Sequence, residues 1–464
     1  MNRDRKPILS KAVAALSLAA IWSLGFQTSV FADTAYSGSI LKRETLTGDW
    51  GVLRTELASK GVDITVNYIG EGLRVVSGGI KRSNSYQGQI ELSIDTDLEK
   101  AFGWKGGKFH VTAYNLHNKG GIIAEKSGSI SDPSNISGLR SNRLFTLWLE
   151  QNFLDDRLSI RAGQLAADEE FFTSPTAEGL INGTFGWASL LSENMTQGGP
   201  AYPLTSPGLR LKLQPTENLT AMVGLFSDYP AGRQCLSEPQ ECNRHGFKFS
   251  RKGSPLWVGE LQYGINQEED SHNLAGVYKI GAWYSRNMFD DMYYGLNKSG
   301  ATVSIHNPAM DKPFQHKGNW GVYGVVDQTV WNSNSRSMSV FLRGGLSPKN
   351  RNLVSYYADA GLGFKGLISG RPDDTLTIGV AYTKISPEAR NADRYASHFT
   401  NTSYIARNSE IAYELNYAAQ ITPWLTLQPN LQYIVRPNGG QNPTNADNKI
   451  KRAIIAGLRT TIVF

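Results

Sequence analysis

The chain has 464 residues, of which 40% are hydrophobic and 19% charged, with a formal net charge of +6 at pH 7. A mean hydropathy of −0.33, without a later stretch of ~20 consecutive apolar residues, excludes a bundle of membrane-spanning helices. The basic residues are scattered along the sequence, which argues against a nucleic-acid-binding protein.

Residues 1–32 have the pattern of a secretory signal peptide. Four basic residues precede an apolar run over residues 12–26, which is too short to span a bilayer as a helix. Small residues before Asp33 predict cleavage between Ala32 and Asp33. Removal of this segment lowers the net charge from +6 to +3, because it takes away four basic residues and Asp4.

A short helix is predicted over residues 49–60, with Asp49 as its N-cap and Gly61 at its end. We place it in a periplasmic N-terminal segment, residues 33–61, ahead of the first strand. A role in gating and simple packing against the end of the domain both remain open for this helix.

Residues 62–464 show the two-residue alternation of β-strands. Apolar side chains occupy the odd positions of residues 410–421 and again of residues 425–435, opposed by mostly polar ones. Only alternate residues of a transmembrane β-barrel face lipid, so such a protein is hydrophilic on average. Counting the weaker runs gives about sixteen strands, or roughly 27 residues for each strand with its connection. The fold predicted is an all-β, transmembrane antiparallel barrel.

The last run, residues 450–464, continues the alternation up to Phe464. A final strand with a terminal aromatic is typical of outer-membrane barrels. A buried strand of a soluble β-sandwich is the alternative interpretation of this run.

Residues 168–200 form a connection about three times longer than an ordinary one. Their aromatic content argues against disorder, and Pro175 could begin a short helix after Ser174. We expect the segment to fold into the lumen as a constriction loop. Packing on the extracellular side is the alternative.

Other chemistry is weakly supported. Cys235 and Cys242 are expected to form a disulfide in an exported protein. Neither a metal site nor a cofactor is predicted, because the seven histidines are dispersed. The glycines at 361, 363 and 366 lie within a strand pattern, so a dinucleotide-binding turn is excluded. Since no hydrolase motif is found, we expect a channel and not an enzyme.

A pore that passes a hydroxyl-rich ring compound requires side chains that hydrogen-bond hydroxyl groups and aromatic faces that contact the ring. We predict that the pore is lined by residues at the strand positions that alternate toward the lumen and by residues of the long connection. An ordinary ion pair inside the lumen is the alternative role for each, and His110 has the same parity. The nominated residues are Glu91, Asp95, Trp148, Glu150, Arg161, Glu169, Glu170, Phe185, Trp187, Arg210, Lys212, Arg343, Glu410, Glu414 and Arg459.

Several stretches resemble the carbohydrate-selective porins of the OprB type: residues 46–55 and 61–63, 161–164 with 168–171, 243–246, and 427–433. The resemblance covers nearly all of residues 40–464, although Val52 stands where family members often have a glycine. It implies a sixteen-stranded outer-membrane barrel that admits glucose and related sugars by passive diffusion. A porin selective for anions or sugar acids and an outer-membrane enzyme are the alternatives. Association into a homo-oligomer is left open.

Overall fold

The computed structural model describes residues 39–249, 253–267, 273–333, 335–400 and 404–464. The predicted signal peptide lies outside these residues. Nineteen strands occur in the described part of the chain: β1 Val62–Gly78, β2 Asn84–Asp97, β3 Gly107–Lys119, β4 Ser141–Phe153, β5 Leu158–Leu165, β6 Ser206–Leu213, β7 Leu219–Ser227, β8 Pro255–Ile265, β9 Gly276–Asn297, β10 Thr302–Ser304, β11 Met310–Ser333, β12 Arg336–Leu346, β13 Val354–Lys365, β14 Thr375–Ile385, β15 Ser409–Thr422, β16 Leu425–Val435, β17 Gln441–Asn442, β18 Asn445–Lys449 and β19 Arg452–Val463.

Sixteen of these strands form one closed antiparallel wall. The short β10 extends the pairing of β9, and β17 and β18 form a separate hairpin. The wall closes because β1 pairs with β2 on one side and with β19 on the other, with Asn67 opposite Val463. Closure leaves no unpaired sheet edge, which a strand-built membrane protein requires. The predicted barrel and its strand number are confirmed.

The alternation of side chains separates an apolar outer surface from a polar interior. In β15, Tyr413 and Leu415 are 45% and 42% exposed on the outside, whereas Glu410 and Glu414 are 1% and 2% exposed on the inside. The outer residues make the apolar band that meets lipid. The described helices include none that is long and apolar enough to cross a membrane.

The two ends of the barrel differ in the length of their connections. Long connections occur at one end, and comprise residues 120–140, 166–205, 228–254, 386–408 and 436–451. Shorter ones at the other end include residues 154–157, 214–218, 334–335 and 423–424. Outer-membrane barrels have short periplasmic turns and longer extracellular loops, which assigns the long connections to the extracellular side.

The described helices are short and are not part of the wall: α1 Leu53–Ser59, α2 Leu98–Phe102, α3 Ala124–Ser127, α4 Ser189–Ser192, α5 Pro239–Cys242 and α6 Pro387–Thr400. The first helix begins at Leu53, later than the sequence predicted, because the preceding Trp50, Gly51 and Val52 have positive φ angles. Asp49 is therefore not the N-cap, although its Oδ1 accepts a hydrogen bond from Thr55 N at 2.9 Å. Helix α1 contacts β1 at the end of the barrel that has the shorter connections.

Two extracellular connections fold into the lumen. We call residues 166–205 the constriction segment and residues 120–140 the companion segment. The constriction segment places Phe171, Phe172 and Phe185 in the largest buried apolar cluster, each at most 1% exposed. The predicted in-folding of this loop is therefore observed. In place of the helix expected after Ser174, a 3-10 turn spans Ala177–Gly179.

The two segments are joined to each other inside the barrel. Gly183 N donates to Asp132 O at 2.8 Å, and Asn135 N donates to Ile181 O at 2.7 Å. The entry of the companion segment into the lumen was not predicted, because this segment contains few large apolar residues. The lumen is therefore narrowed by two extracellular connections that support one another.

Candidate functional site

Acidic side chains of the wall hold the in-folded segments through backbone N–H groups. Glu414 on β15 accepts from the constriction segment at Ile181 and Asn182, and Glu410 accepts from the companion segment at Ile130 and Ser131. A carboxylate that accepts two backbone N–H groups satisfies donors that would otherwise be buried without partners. Glu410 and Glu414, both predicted to line the pore, thus anchor these segments.

Other residues that were predicted to line the pore are buried against protein groups. Arg343 has a side chain that is 0% exposed, forms an ion pair with Asp359 at 2.5 Å, and donates to Phe172 O at 3.1 Å. Phe185 is 1% exposed within the apolar cluster. Arg459 is paired with Glu71, and Glu91 accepts from Gln89. The structure places these four side chains against other protein groups instead of the open lumen.

A row of side chains on the inner face of β2–β6 is partly open at Asp95, His110, Trp148 and Arg161 and buried at Glu150 and Arg210. We call it the wall ladder, and it consists of Asp95, His110, Trp148, Glu150, Arg161 and Arg210. The sheet register places Asp95 opposite His110 and His110 opposite Trp148. It also places Glu150 opposite Arg161 and Arg161 opposite Arg210. Neighbouring strands thus bring five of the predicted residues, with His110, into one continuous surface.

Stacking fixes the centre of the wall ladder. The rings of His110 and Trp148 stack with centroids 4.8 Å apart, and Arg161 Cζ lies 3.8 Å from the centroid of the Trp148 ring. Because His110 and Arg161 come from strands on opposite sides of β4, they cover opposite faces of the indole. The edge of Trp148, and not its face, is left to the lumen.

Ion pairs join the ladder to the constriction segment. Glu150 Oε2 contacts Arg161 Nε at 2.8 Å and Arg210 Nη2 at 2.6 Å. Glu170, from the constriction segment, contacts Arg210 Nε at 2.9 Å and Arg161 Nη1 at 3.6 Å. Each arginine is thus shared between two carboxylates. This network fixes the start of the constriction segment against the wall at β4–β6.

Several groups near this network are open to solvent in the lumen. The side chain of Asp95 is 52% exposed, while its Oδ1 contacts His110 Nδ1 at 2.6 Å. Glu169 is exposed, and its carboxyl group interacts electrostatically with Arg161 and Asp95. Lys212 is partly exposed further along β6. Trp187 is partly buried, and its Nε1 donates to Gly198 O at 2.9 Å within the constriction segment.

The constriction segment also presents carboxyl groups whose side chains have no hydrogen bond or ion pair within the described residues. They are Glu169, Glu178 and Glu193. Surrounding protein raises the pKa of Glu169 to about 8, first by desolvation and then through Asp168, and desolvation raises that of Glu193 to about 7. The negative charge of the lumen therefore increases through neutral pH.

Sequence parity missed the groups that position this site. Glu260 accepts from Phe172 N at 2.9 Å, and Asp327 accepts from Thr176 N at 2.9 Å. Both are acids at inward positions of β8 and β11, a signal that was present in the sequence. At the extracellular rim, Cys235 and Cys242 form the expected disulfide, with Cα atoms 5.8 Å apart.

Comparison with known proteins gives consistent matches over most of the chain. The family described as carbohydrate-selective porin, OprB family, matches residues 81–464. Porin B of Pseudomonas aeruginosa is 27% identical over 471 residues, covering 96% of each chain. The putative porin QuiX of Acinetobacter baylyi is 24% identical and covers 91% of this chain and 93% of its own. The high-pH structure of Pseudomonas putida OprB has the same fold, with a TM-score of 0.79 and 24% identity, over 92% of this chain and 100% of that chain.

Proposed function

We propose that glucose and related monosaccharides diffuse passively along the wall ladder of this chain, which belongs to the carbohydrate-selective porin, OprB family. The protein is an outer-membrane porin, and its sixteen wall strands cross the membrane. The observation that best supports the passage of sugars along the wall ladder is the position of Glu169 and Glu170. These carboxyl groups of the constriction segment lie beside the partly open Arg161 and Asp95.

The wall ladder has the chemistry that a hydroxyl-rich solute requires. Asp95 and Glu169 supply exposed acceptors, and Arg161 supplies donors whose direction is set by Glu150 and Trp148. Such fixed groups can exchange hydrogen bonds with sugar hydroxyls at little conformational cost. Conduction also requires release, so we expect a millimolar site, about −4 kcal/mol.

The charge of the passage favours neutral sugars over sugar acids. The arginines of the wall ladder are paired with Glu150 and Glu170, whereas Glu169, Glu178 and Glu193 are not paired within the described residues. Above about pH 8, where Glu169 is ionised, an anionic solute would therefore meet a carboxylate without a free guanidinium to compensate it. This argues against the sugar-acid porin.

We also propose that the protein acts as a channel without catalytic activity. Asp95, His110 and the hydroxyl groups of Thr112 and Thr146 are hydrogen-bonded in series, which has the outline of a relay for nucleophilic attack. However, Thr112 is 3% exposed and Thr146 is 0% exposed, so a substrate cannot reach either hydroxyl. The series is better suited to holding His110 against Trp148.

Swelling of proteoliposomes in isosmotic sugars tests the proposal. Wild-type protein should admit glucose faster than gluconate. In planar bilayers, Arg161→Ala should weaken the block of ion current by glucose about fivefold, because it removes about one hydrogen bond to the sugar. Arg371→Ala is the matched control, because it removes a partly exposed arginine that is paired with Asp374 at a periplasmic turn. Faster entry of gluconate, with anion-selective reversal potentials, would favour the sugar-acid porin instead.

A further inference from the structure

A surface cleft of about 560 Å³ lies where β1, β2 and β3 approach the extracellular rim. Gly72 lines it, and a Cβ atom added there would meet nothing within 4 Å. In the sheet register Gly72 is opposite Tyr86, and Tyr86 is opposite Lys119. These residues have the parity opposite to that of the buried Leu73, so the cleft faces the surroundings of the barrel and not its lumen.

Two basic side chains, Arg74 and Lys119, line this cleft, and three more follow in the adjoining connections at 79–83 and 120–140. In the described structure none of the five forms an ion pair, and all five are exposed: Arg74, Lys81, Arg82, Lys119 and Arg140. The adjacent acid, Glu125, is already held by Lys126 at 3.5 Å. Arg74 and Lys119 are two strand spacings apart across the sheet and two residues apart along it, which separates their Cα atoms by about 12 Å. The cleft is therefore a concentrated site of uncompensated positive charge.

Aromatic side chains fix the depth of the cleft in the membrane. On the same outer face, the rings of Tyr68 and His117 stack with centroids 6.0 Å apart, and Tyr86 leans on His117 at 6.2 Å. Belts of such residues mark the boundary between hydrocarbon and headgroups in outer-membrane barrels. Arg74 lies on the rim side of this belt, and Lys119 is level with Tyr86 at the end of β3. Both cations are thus at the level of lipid headgroups.

We propose that this cleft binds the phosphate groups of an anionic lipid headgroup in the outer leaflet. Arginine can contact a phosphate through two parallel hydrogen bonds, and lysine supplies a compact charge. Basic clusters beside a membrane interface attract anionic lipids for this reason. The spacing of Arg74 and Lys119 suits a headgroup with more than one phosphate. Its acyl chains would lie on the apolar band below Tyr68.

Native mass spectrometry of detergent-solubilised protein, titrated with bis-phosphorylated lipid A, tests this site. The double variant Arg74→Gln/Lys119→Gln should bind about thirtyfold more weakly, since each basic residue near an anionic lipid contributes a factor of about five. The matched control is Lys298→Gln/Lys312→Gln, which removes two exposed rim lysines on the opposite side of the barrel. It should bind the lipid as wild type does.

Three results would overturn the proposal. The first is equal binding by wild type and the Arg74/Lys119 variant. The second is equal binding of phosphorylated lipid A and a phosphate-free analogue. The third is displacement of the lipid by free inorganic phosphate, which would indicate a small-anion site instead of a lipid site. Heat-dependent gel mobility establishes that each variant retains the folded barrel.

Discussion

Replacing Glu414 tests whether the constriction segment sets the width of the lumen. Glu414 accepts hydrogen bonds from Ile181 N at 2.7 Å, Asn182 N at 3.0 Å and Asn430 Nδ2 at 2.7 Å. A hydrogen bond to a charged group contributes about 1.5–3 kcal/mol, so losing the two backbone bonds costs the segment about 3–6 kcal/mol. A change near 5.5 kcal/mol is enough to move a two-state equilibrium from 99:1 to 1:99.

We therefore expect Glu414→Ala to populate a state in which the segment leaves the wall at β15. Single-channel conductance in planar bilayers should rise, and disaccharides should enter proteoliposomes. Glu414→Gln retains one acceptor oxygen, so its conductance should lie between those of wild type and Glu414→Ala. Tyr413→Ala is the matched control, because Tyr413 lies on the same strand and faces lipid.

If Glu414→Ala keeps the wild-type conductance and the wild-type sugar size limit in a barrel with unchanged circular dichroism, then Glu414 does not hold the constriction. Loss of the barrel itself would be detected in the same spectrum, and Glu414→Gln would then carry the test.

Three further predictions concern the lumen and the rim. Trp187→Ala removes packing against the apolar cluster and the hydrogen bond to Gly198 O. Conductance should therefore rise, and the free energy of unfolding should fall by about 3 kcal/mol, which lowers the thermal midpoint. Glu169 loses its proton near pH 8, so the selectivity for cations over anions should increase as the pH rises through this value. Reversal potentials measure this selectivity, and Glu169→Gln should make it less dependent on pH. Cys235→Ser frees an extracellular loop without touching the wall ladder, so protease cleavage of that loop should increase while glucose entry is unchanged.

Much of the barrel could be predicted from the sequence because lipid and water impose a two-residue period on every strand. The run from 425 to 435 coincides with β16 as observed. The end of α1 was also predictable, since Gly61 follows it with a φ of 80°. Its start was not, because Trp50 and Val52 adopt positive φ angles that their residue types do not favour.

The site was less predictable, because parity gives the face of a side chain but not what covers that face. Arg161 and Arg343 are the same residue type at the same inward parity. The side chain of Arg343 is 0% exposed under the constriction segment, whereas that of Arg161 is 16% exposed beside it. This difference depends on where a distant connection settles, and on the companion segment that supports it. Local patterns carry no information about such contacts.

The pairing of β1 with β19 has a consequence for biogenesis. These two strands are the first and last of the wall, so no cylinder can exist until the final strand is in place. An incomplete wall would expose two rows of peptide groups to hydrocarbon, each unpaired group costing several kcal/mol. Assembly should therefore be all-or-none, with the whole polypeptide delivered unfolded across the periplasm before insertion. Truncated chains would be expected to reach proteases and not the membrane.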